Sequence, residues 1–185
     1  MSADPSARLR PATPEDRFLI RRWLARCDVR ATWGSAAGAE AEITLAMGSI
    51  AAISRIVERN GAPVGYAHAI ETGVLAEHRP EGVPAGAWSV ACLMTSEASD
   101  GPAFAAAALA QLAGEVFATT LAVACSAVVP VTSEATMRAY ERAGFRWVRV
   151  WLDPVCGPSW VMLKERSTTP PPRRADRPRP ADGRG

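Results

Sequence analysis

Several features that would assign a chain quickly are missing here. The four cysteines, Cys27, Cys92, Cys125 and Cys156, stand far apart with no Cys-x-x-Cys pair, and His68 and His78 are the only imidazoles. That spacing is wrong for a zinc site, and no metal is expected. The N-terminus carries Asp4, Arg8 and Arg10 in place of an apolar leader, and no run approaches the roughly 20 apolar residues that span a bilayer. Neither export nor membrane insertion is signalled, and there is no internal repeat. Cys92 and Cys125 lie inside apolar runs, where a free thiol behaves as a small hydrophobe in a reducing compartment, so the cytoplasm is the expected location.

The 185 residues are 48% hydrophobic, the size and apolar content of one domain that needs no covalent staple. The net charge of +2 misleads: residues 167–185 hold five arginines against Asp176 and Asp182, which leaves the rest of the chain at −1. The basic pI belongs to that tail and argues for neither a nucleic-acid face nor a membrane partner. The tail is otherwise Pro, Gly, Ala, Ser and Thr, a composition that predicts disorder after a domain spanning residues 1–166.

The domain reads as mixed α/β. Residues 8–12 suggest a short strand, and Thr13-Pro14-Glu15-Asp16 has the cap, proline and early acids of a helix start. That helix runs to about Cys27, with Phe18, Leu19, Trp23 and Leu24 on its apolar face. A second helix is expected from about Ala39 to Ser49. Residues 52–59 and 63–71 form a hairpin about Asn60-Gly61, a dipeptide suited to positive φ. The apolar run Ala87 to Thr95 reads as a buried strand at the centre of the sheet. Helix Phe104 to Phe117, strand Leu121 to Val129, helix Thr132 to Ala143 capped by Gly144, and strands at 145–152 and 160–164 complete the order β-α-α-β-β-β-α-β-α-β-β.

The last of these helices ends Ala139-Tyr140-Glu141-Arg142-Ala143-Gly144-Phe145. Together with a strand that enters a glycine-bearing loop before a helix, this segment resembles the GCN5-related N-acetyltransferase (GNAT) family over roughly residues 8–166. Leu9-Arg10-Pro11-Ala12, Trp23-Leu24, Trp33-Gly34 and Gly61-x-Pro-x-Gly65-Tyr66-Ala67 resemble more narrowly the aminoglycoside 6'-N-acetyltransferases and their siderophore-biosynthesis relatives. The resemblance implies the acyl-CoA N-acyltransferase fold, a mixed central sheet with helices on both faces. It implies an enzyme that transfers acetyl from acetyl-CoA to a primary amine of a small polar molecule, an aminoglycoside among the candidates, and hence a link to antibiotic resistance. The partners are then the amine and acetyl-CoA, with no nucleic acid or membrane, and the chain acts as a monomer or homodimer.

Carried residue by residue, the resemblance places the cosubstrate along the central strand at Cys92, Leu93 and Met94, in the loop and helix start at Gly101, Ala103 and Phe104, and at Ser133 and Tyr140. A pantetheine arm is peptide-like and pairs with a strand edge, and pyrophosphate suits a helix N-terminus. Tyr140 is where the family has a phenol that protonates the departing thiolate. The family's cradle pattern, Gln/Arg-x-x-Gly-x-Gly/Ala, is met by Gly101 and Ala103, whereas Ala98 replaces its first residue and Pro102 removes an N–H. Ser89 or its neighbour stands where the aminoglycoside relatives have an aspartate, so the base is sought elsewhere. His68, Glu71, Glu77 and Glu81 are the candidates. His68 and Glu71 point to opposite faces of a regular strand, and Glu71 is preferred, with the imidazole of His68 as the alternative.

Trp33 and Glu81 are candidates for the acceptor pocket. Glu40 and Glu42 offer an acidic mouth for a polyamine substrate, but solvated helix charges are the favoured reading, and Cys92 reads as core rather than nucleophile. The departures at Ala98, Pro102, Ser89 and Ser133 keep a second function open, a degenerate domain that binds CoA or a partner without catalysis.

Overall fold

The computed structural model describes residues 7–26, 36–74, 80–95, 102–154 and 157–167. The elements follow the order read from the sequence: β1 (Arg8–Pro11), α1 (Asp16–Leu24), α2 (Ala36–Gly48), β2 (Ala52–Arg59), β3 (Ala62–Glu71), β4 (Trp88–Met94), α3 (Pro102–Thr119), β5 (Ala124–Pro130), α4 (Glu134–Arg142), β6 (Arg146–Asp153) and β7 (Gly157–Glu165). The predicted tail lies outside the described residues, apart from Ser167.

The strands form one sheet in the order β1-β2-β3-β4-β5-β7-β6. Neighbours are antiparallel except β4 and β5, which run parallel at the centre. The β2–β3 hairpin turns through Asn60 and Gly61, both at positive φ (51° and 80°), as that dipeptide predicts. Gly65 has a different role: a Cβ there would lie 2.5 Å from the Leu93 carbonyl oxygen, so only glycine lets β3 approach β4 this closely.

The two faces of the sheet are covered differently. α3 and α4 bury Phe104, Leu109, Leu112, Val116, Ala139 and Tyr140 against Ala67, Ala69, Trp88, Val90, Ala127 and Met162. Each fully buried large side chain of this kind stabilises by about 1.5–3 kcal/mol, before the entropy of ordering is charged against it. α3 is long and apolar enough by composition to cross a bilayer, and in the fold its apolar side is part of this core. On the other face, α1 and α2 pack Ile20, Trp23, Leu24, Ala39 and Ile43 onto Ile56, Tyr66 and Leu93.

Local differences from the sequence reading have identifiable causes. α1 starts at Asp16 rather than at Thr13, because the Asp16 carboxylate accepts the Thr13 backbone N–H at 2.8 Å and also binds Arg10 bidentately, at 2.7 and 2.8 Å. Its buried stripe is Ile20, Trp23 and Leu24, while Phe18 is 72% exposed. Phe18 is two residues from Ile20, about 200° around the helix, and therefore points to solvent. β5 begins at Ala124, and Leu121 lies before it in the α3–β5 connection, 97% exposed. Arg166 closes the C-terminal end of α3 by donating to the carbonyls of Phe117, Thr120 and Ala122 at 2.6–2.8 Å, which satisfies carbonyls that the helix leaves unbonded and places a cation at its negative end.

Candidate active site

The site begins with an interruption of the sheet. β4 pairs with β5 at Trp88–Cys125 and Ser89–Ser126, and among the described residues the pairing goes no further. On its other side β4 stays paired with β3 along its whole length, from Glu71–Trp88 to Gly65–Met94. The two central strands therefore part after Ser89. Ser126 Oγ donates to the Trp88 carbonyl at 3.4 Å, so that carbonyl points toward β5, and by the alternation of a strand the backbone groups of Val90, Cys92 and Met94 point the same way.

Tyr140, on α4, meets β4 at the parting. Its hydroxyl donates to the Val90 carbonyl at 2.9 Å, and the residue is 5% exposed. α4 holds it there by burying Ala139 and Tyr140 on one side, with the ring edge-on to Phe145 at 5.1 Å. The glycine that closes the motif, Gly144, has φ +89° and lets the chain turn so that Phe145 can pack there. Burial pushes the phenol far above its ordinary pKa, with smaller contributions from Cys92 and Glu42. Tyr140 is thus a neutral hydrogen-bond donor at any working pH.

Side chains of β4 alternate between the two faces. Trp88, Val90, Cys92 and Met94 face the core under α3 and α4. Cys92 is a poor nucleophile, since burial pushes its thiol up to about 12. Leu93 packs with Tyr66 on the α1/α2 face, and Ser89 and Ala91 share that face by register. On the neighbouring strand His68 is level with Ala91 and Ile70 with Ser89.

His68 is fully buried and its Nε2 lies 3.1 Å from Oε1 of Glu42 on α2. The ring is also 5.6 Å from that of Tyr66, whose hydroxyl shares a 3.0 Å hydrogen bond with Ser54 Oγ. Burial pushes the Tyr66 phenol up to about 12, the bond to Ser54 opposes this, and the Glu42 charge adds to it. A histidine, a carboxylate, a phenol and a serine hydroxyl thus line one face of the sheet beside the point where its centre opens.

Other candidates lie elsewhere. Glu71 is exposed and level with Trp88, where β4 and β5 are still paired, on the face opposite His68. Glu81 is exposed and its carboxylate accepts from Arg149 of β6 at 2.8 Å. Ser133 precedes α4 as its N-cap residue, half-buried and without a side-chain capping bond. Ala103 and Phe104 are in the first turn of α3, Ala103 exposed and Phe104 buried. Trp33, Glu77, Ala98 and Gly101 lie outside the described residues. The residue that reading by pattern undervalued is Glu42. Ala39, Ile43 and Ala46 form the buried stripe of α2, and Glu42 lies at i+3 from Ala39 and i−4 from Ala46. A carboxylate inside an apolar helical stripe was the available signal.

No family model matches the chain, and no curated protein is similar to it in sequence. Solved structures do match. The aminoglycoside acetyltransferase AAC(6')-Ib in complex with coenzyme A and kanamycin superposes with a TM-score of 0.71 at 21% identity, over 87% of this chain and 95% of that one. Aminoglycoside N(6')-acetyltransferase from Legionella pneumophila gives 0.68 at 14% identity, over 88% and 93%. Spermidine N-acetyltransferase from Vibrio cholerae in complex with CoA and spermine gives 0.65 at 15% identity, over 86% and 95%. Identities this low speak for the fold alone, and with the parted β4–β5 pair they lead to one conclusion: the chain has the acyl-CoA N-acyltransferase fold of the GCN5-related N-acetyltransferases.

Proposed function

We propose that the protein transfers an acetyl group from acetyl-CoA to a primary amine of a small polar molecule. The observation that carries this reading is the parting of β4 and β5 after Ser89 and Ser126, with the Tyr140 hydroxyl held at the first carbonyl beyond it. An opening of that kind presents strand-edge amides to a peptide-like arm, and Cys92 and Met94 of β4 supply the edge. The N-terminus of α3, at Pro102 to Phe104, suits the pyrophosphate, although Pro102 contributes no N–H. Gly101 and Ser133 complete the cradle as the resemblance has it.

Acetyl-CoA supplies an acetyl group activated as a thioester. The chain's own residues align the acceptor nitrogen with that carbon, donate backbone hydrogen bonds to the carbonyl oxygen, and steady the sulfur through Tyr140. In the overall exchange a carbon–nitrogen bond forms and the carbon–sulfur bond breaks. The ammonium loses two protons, one ending on the thiol and one in solution. Tyr140, kept neutral by burial, turns its one O–H from the Val90 carbonyl to the sulfur as charge grows there. Such a placement of a buried phenol favours turnover over a binding module that has lost catalysis.

Aminoglycosides and polyamines are the acceptor classes we favour, since AAC(6')-Ib is seen with kanamycin and the Vibrio cholerae enzyme with spermine. Free thiols at Cys92, half-buried, and Cys125, buried, fit a reducing compartment. The test is thiol release from acetyl-CoA over a panel of aminoglycosides, polyamines and hydroxylamino acids. Acceptor-dependent thiol is expected. Tight acetyl-CoA binding by calorimetry with no thiol above background would replace this reading with the binding module.

A further inference from the structure

Resting on the acetyl-transfer reading above, we propose that Glu42 binds the acceptor's ammonium group and takes its proton, and that the buried His68 is the positioning residue that holds the Glu42 carboxylate in place. Neither the resemblance nor the matched folds assign Glu42 a role.

Register places the pair. His68 is level with Ala91, the residue after Val90, whose carbonyl accepts from Tyr140. Tyr140 therefore reaches this point of β4 from the α3/α4 side, and His68 with Glu42 occupies the α1/α2 side, two residue pairs beyond the last pairing of β4 with β5 among the described residues. An acceptor that enters on the α1/α2 face meets the parting from the side opposite Tyr140. Ala91 presents only a methyl group there. The field of Glu42 is felt at both ends of this arrangement, since it adds to the upward shift of both the Tyr66 and Tyr140 phenols.

Exposure decides which member of the pair meets the acceptor. The His68 side chain is 0% exposed and that of Glu42 is 37% exposed, with 3.1 Å between Nε2 and Oε1. Imidazole lies behind carboxylate, so a solvent-borne amine reaches Glu42 first. With Glu42 ionised, Nε2 carries its hydrogen and donates to Oε1, leaving Oε2 for an ammonium. Glu40, Glu58, Glu81 and Glu115 are each paired with an arginine, whereas the partner of Glu42 is this histidine.

The step balances as follows. One ammonium proton moves to the Glu42 carboxylate, the nitrogen lone pair bonds to the acetyl carbon, and the carbon–sulfur bond breaks with its electron pair on sulfur. The second nitrogen proton compensates the thiolate, and Glu42 returns its proton to water. The products are the acetamide, the thiol and one proton.

The experiment uses the full chain with acetyl-CoA and two acceptors: spermidine, which is cationic at neutral pH, and an alkoxyamine, whose nitrogen is already neutral. For Glu42→Gln, kcat/KM with spermidine is expected to fall about 100-fold or more, and with the alkoxyamine by no more than about threefold. Glu42→Asp recovers part of the spermidine loss, and His68→Gln lowers kcat with spermidine while acetyl-CoA affinity by calorimetry stays unchanged. Equal losses with both acceptors, or none with either, in a Glu42→Gln protein of wild-type melting temperature overturn the assignment of Glu42. A wild-type chain that releases no thiol with these two acceptors or with any aminoglycoside, polyamine or hydroxylamino acid of the panel above overturns the acetyl-transfer reading itself. Glu42 is half-exposed, so its variants test the idea even where His68→Gln fails to fold.

Discussion

The two faces of β4 solve different problems with the same strand. Toward α3 and α4 its side chains are Trp88, Val90, Cys92 and Met94, all in contact with the larger core. Toward α1 and α2 it shows Leu93 packed on Tyr66, and then the small residues Ser89 and Ala91, the latter level with His68 and its partner Glu42. Both faces add charged contacts between helix and sheet: Arg55 of β2 with Glu115 of α3 on the first, Arg10 with Asp16 and His68 with Glu42 on the second. The first face has the larger apolar core, and the second brings its histidine–carboxylate pair level with Ala91, past the point where β4 and β5 part. The larger core lies on one side and the proposed acceptor site on the other, with the Tyr140 hydroxyl reaching the parting from the packed side.

The contrast is broken most directly from the packed side. Leu112→Ala removes a fully buried side chain of α3 and is expected to cost about 3 kcal/mol in urea denaturation, while turnover per folded molecule stays near wild type. A large loss of kcat in protein that remains folded would mean that the two faces are coupled.

A smaller effect, with its own pH signature, is expected on the other face. The Arg10 guanidinium holds the Asp16 carboxyl below the usual carboxylate range, with the Thr13 backbone N–H and hydroxyl helping and burial opposing. A carboxyl whose folded pKa is depressed contributes stability above its unfolded value, near 4, and loses it as pH falls through the folded value. Asp16→Asn is expected to cost about 2 kcal/mol at neutral pH and to flatten the acid limb of the stability curve. Leu112→Ala should leave the shape of that limb unchanged. Parallel acid limbs for wild type and Asp16→Asn would remove Asp16 from this account.

Tyr140→Phe belongs to both faces. Losing the 2.9 Å bond to Val90 leaves a buried carbonyl without that donor and is expected to cost about 1 kcal/mol. Turnover should fall by about tenfold or more while acetyl-CoA binding changes little, because a hydrogen bond to the departing sulfur matters only as charge develops. Unchanged kcat would leave Tyr140 as a packing residue alone.

Much of this contrast could be read before the fold was known, and the unread part has physical causes. The element order, the Asn60-Gly61 turn and the central place of β4 followed from local periodicity and turn chemistry. Tyr140 followed from the motif that ends at Gly144 and Phe145. The helix start at Asp16 was missed because its carboxylate serves Arg10 on another element, a contact that local spacing does not encode. The outward turn of Phe18 was missed because aromatic character outweighed its phase relative to Ile20 and Trp23. Glu71 was preferred over His68 for its closeness to a loop, yet the point at which β4 and β5 part is set by pairing between distant segments. Glu42 was weighed by the usual fate of exposed glutamates, not by its place between Ala39, Ile43 and Ala46.

The smallest effect sharpens the comparison most, because it separates two acids on one helix. Glu40 and Glu42 are two residues apart on α2, about 200° around its axis, and they have different neighbours. Glu40 accepts from Arg21 of α1 at 2.6 Å, between side chains 67% and 45% exposed on the arginine and glutamate respectively, where solvent screens the pair. Glu40→Gln should therefore change stability by less than about 0.5 kcal/mol and leave kcat/KM with spermidine unaltered, while Glu42→Gln lowers it. If both substitutions lowered it equally, the acids would be acting as a diffuse negative field that gathers cations. That loss would shrink with added salt, because screening weakens a distant field more than a contact. A loss confined to Glu42 and insensitive to salt ties proton removal to the one carboxylate that His68 holds beside the open strand.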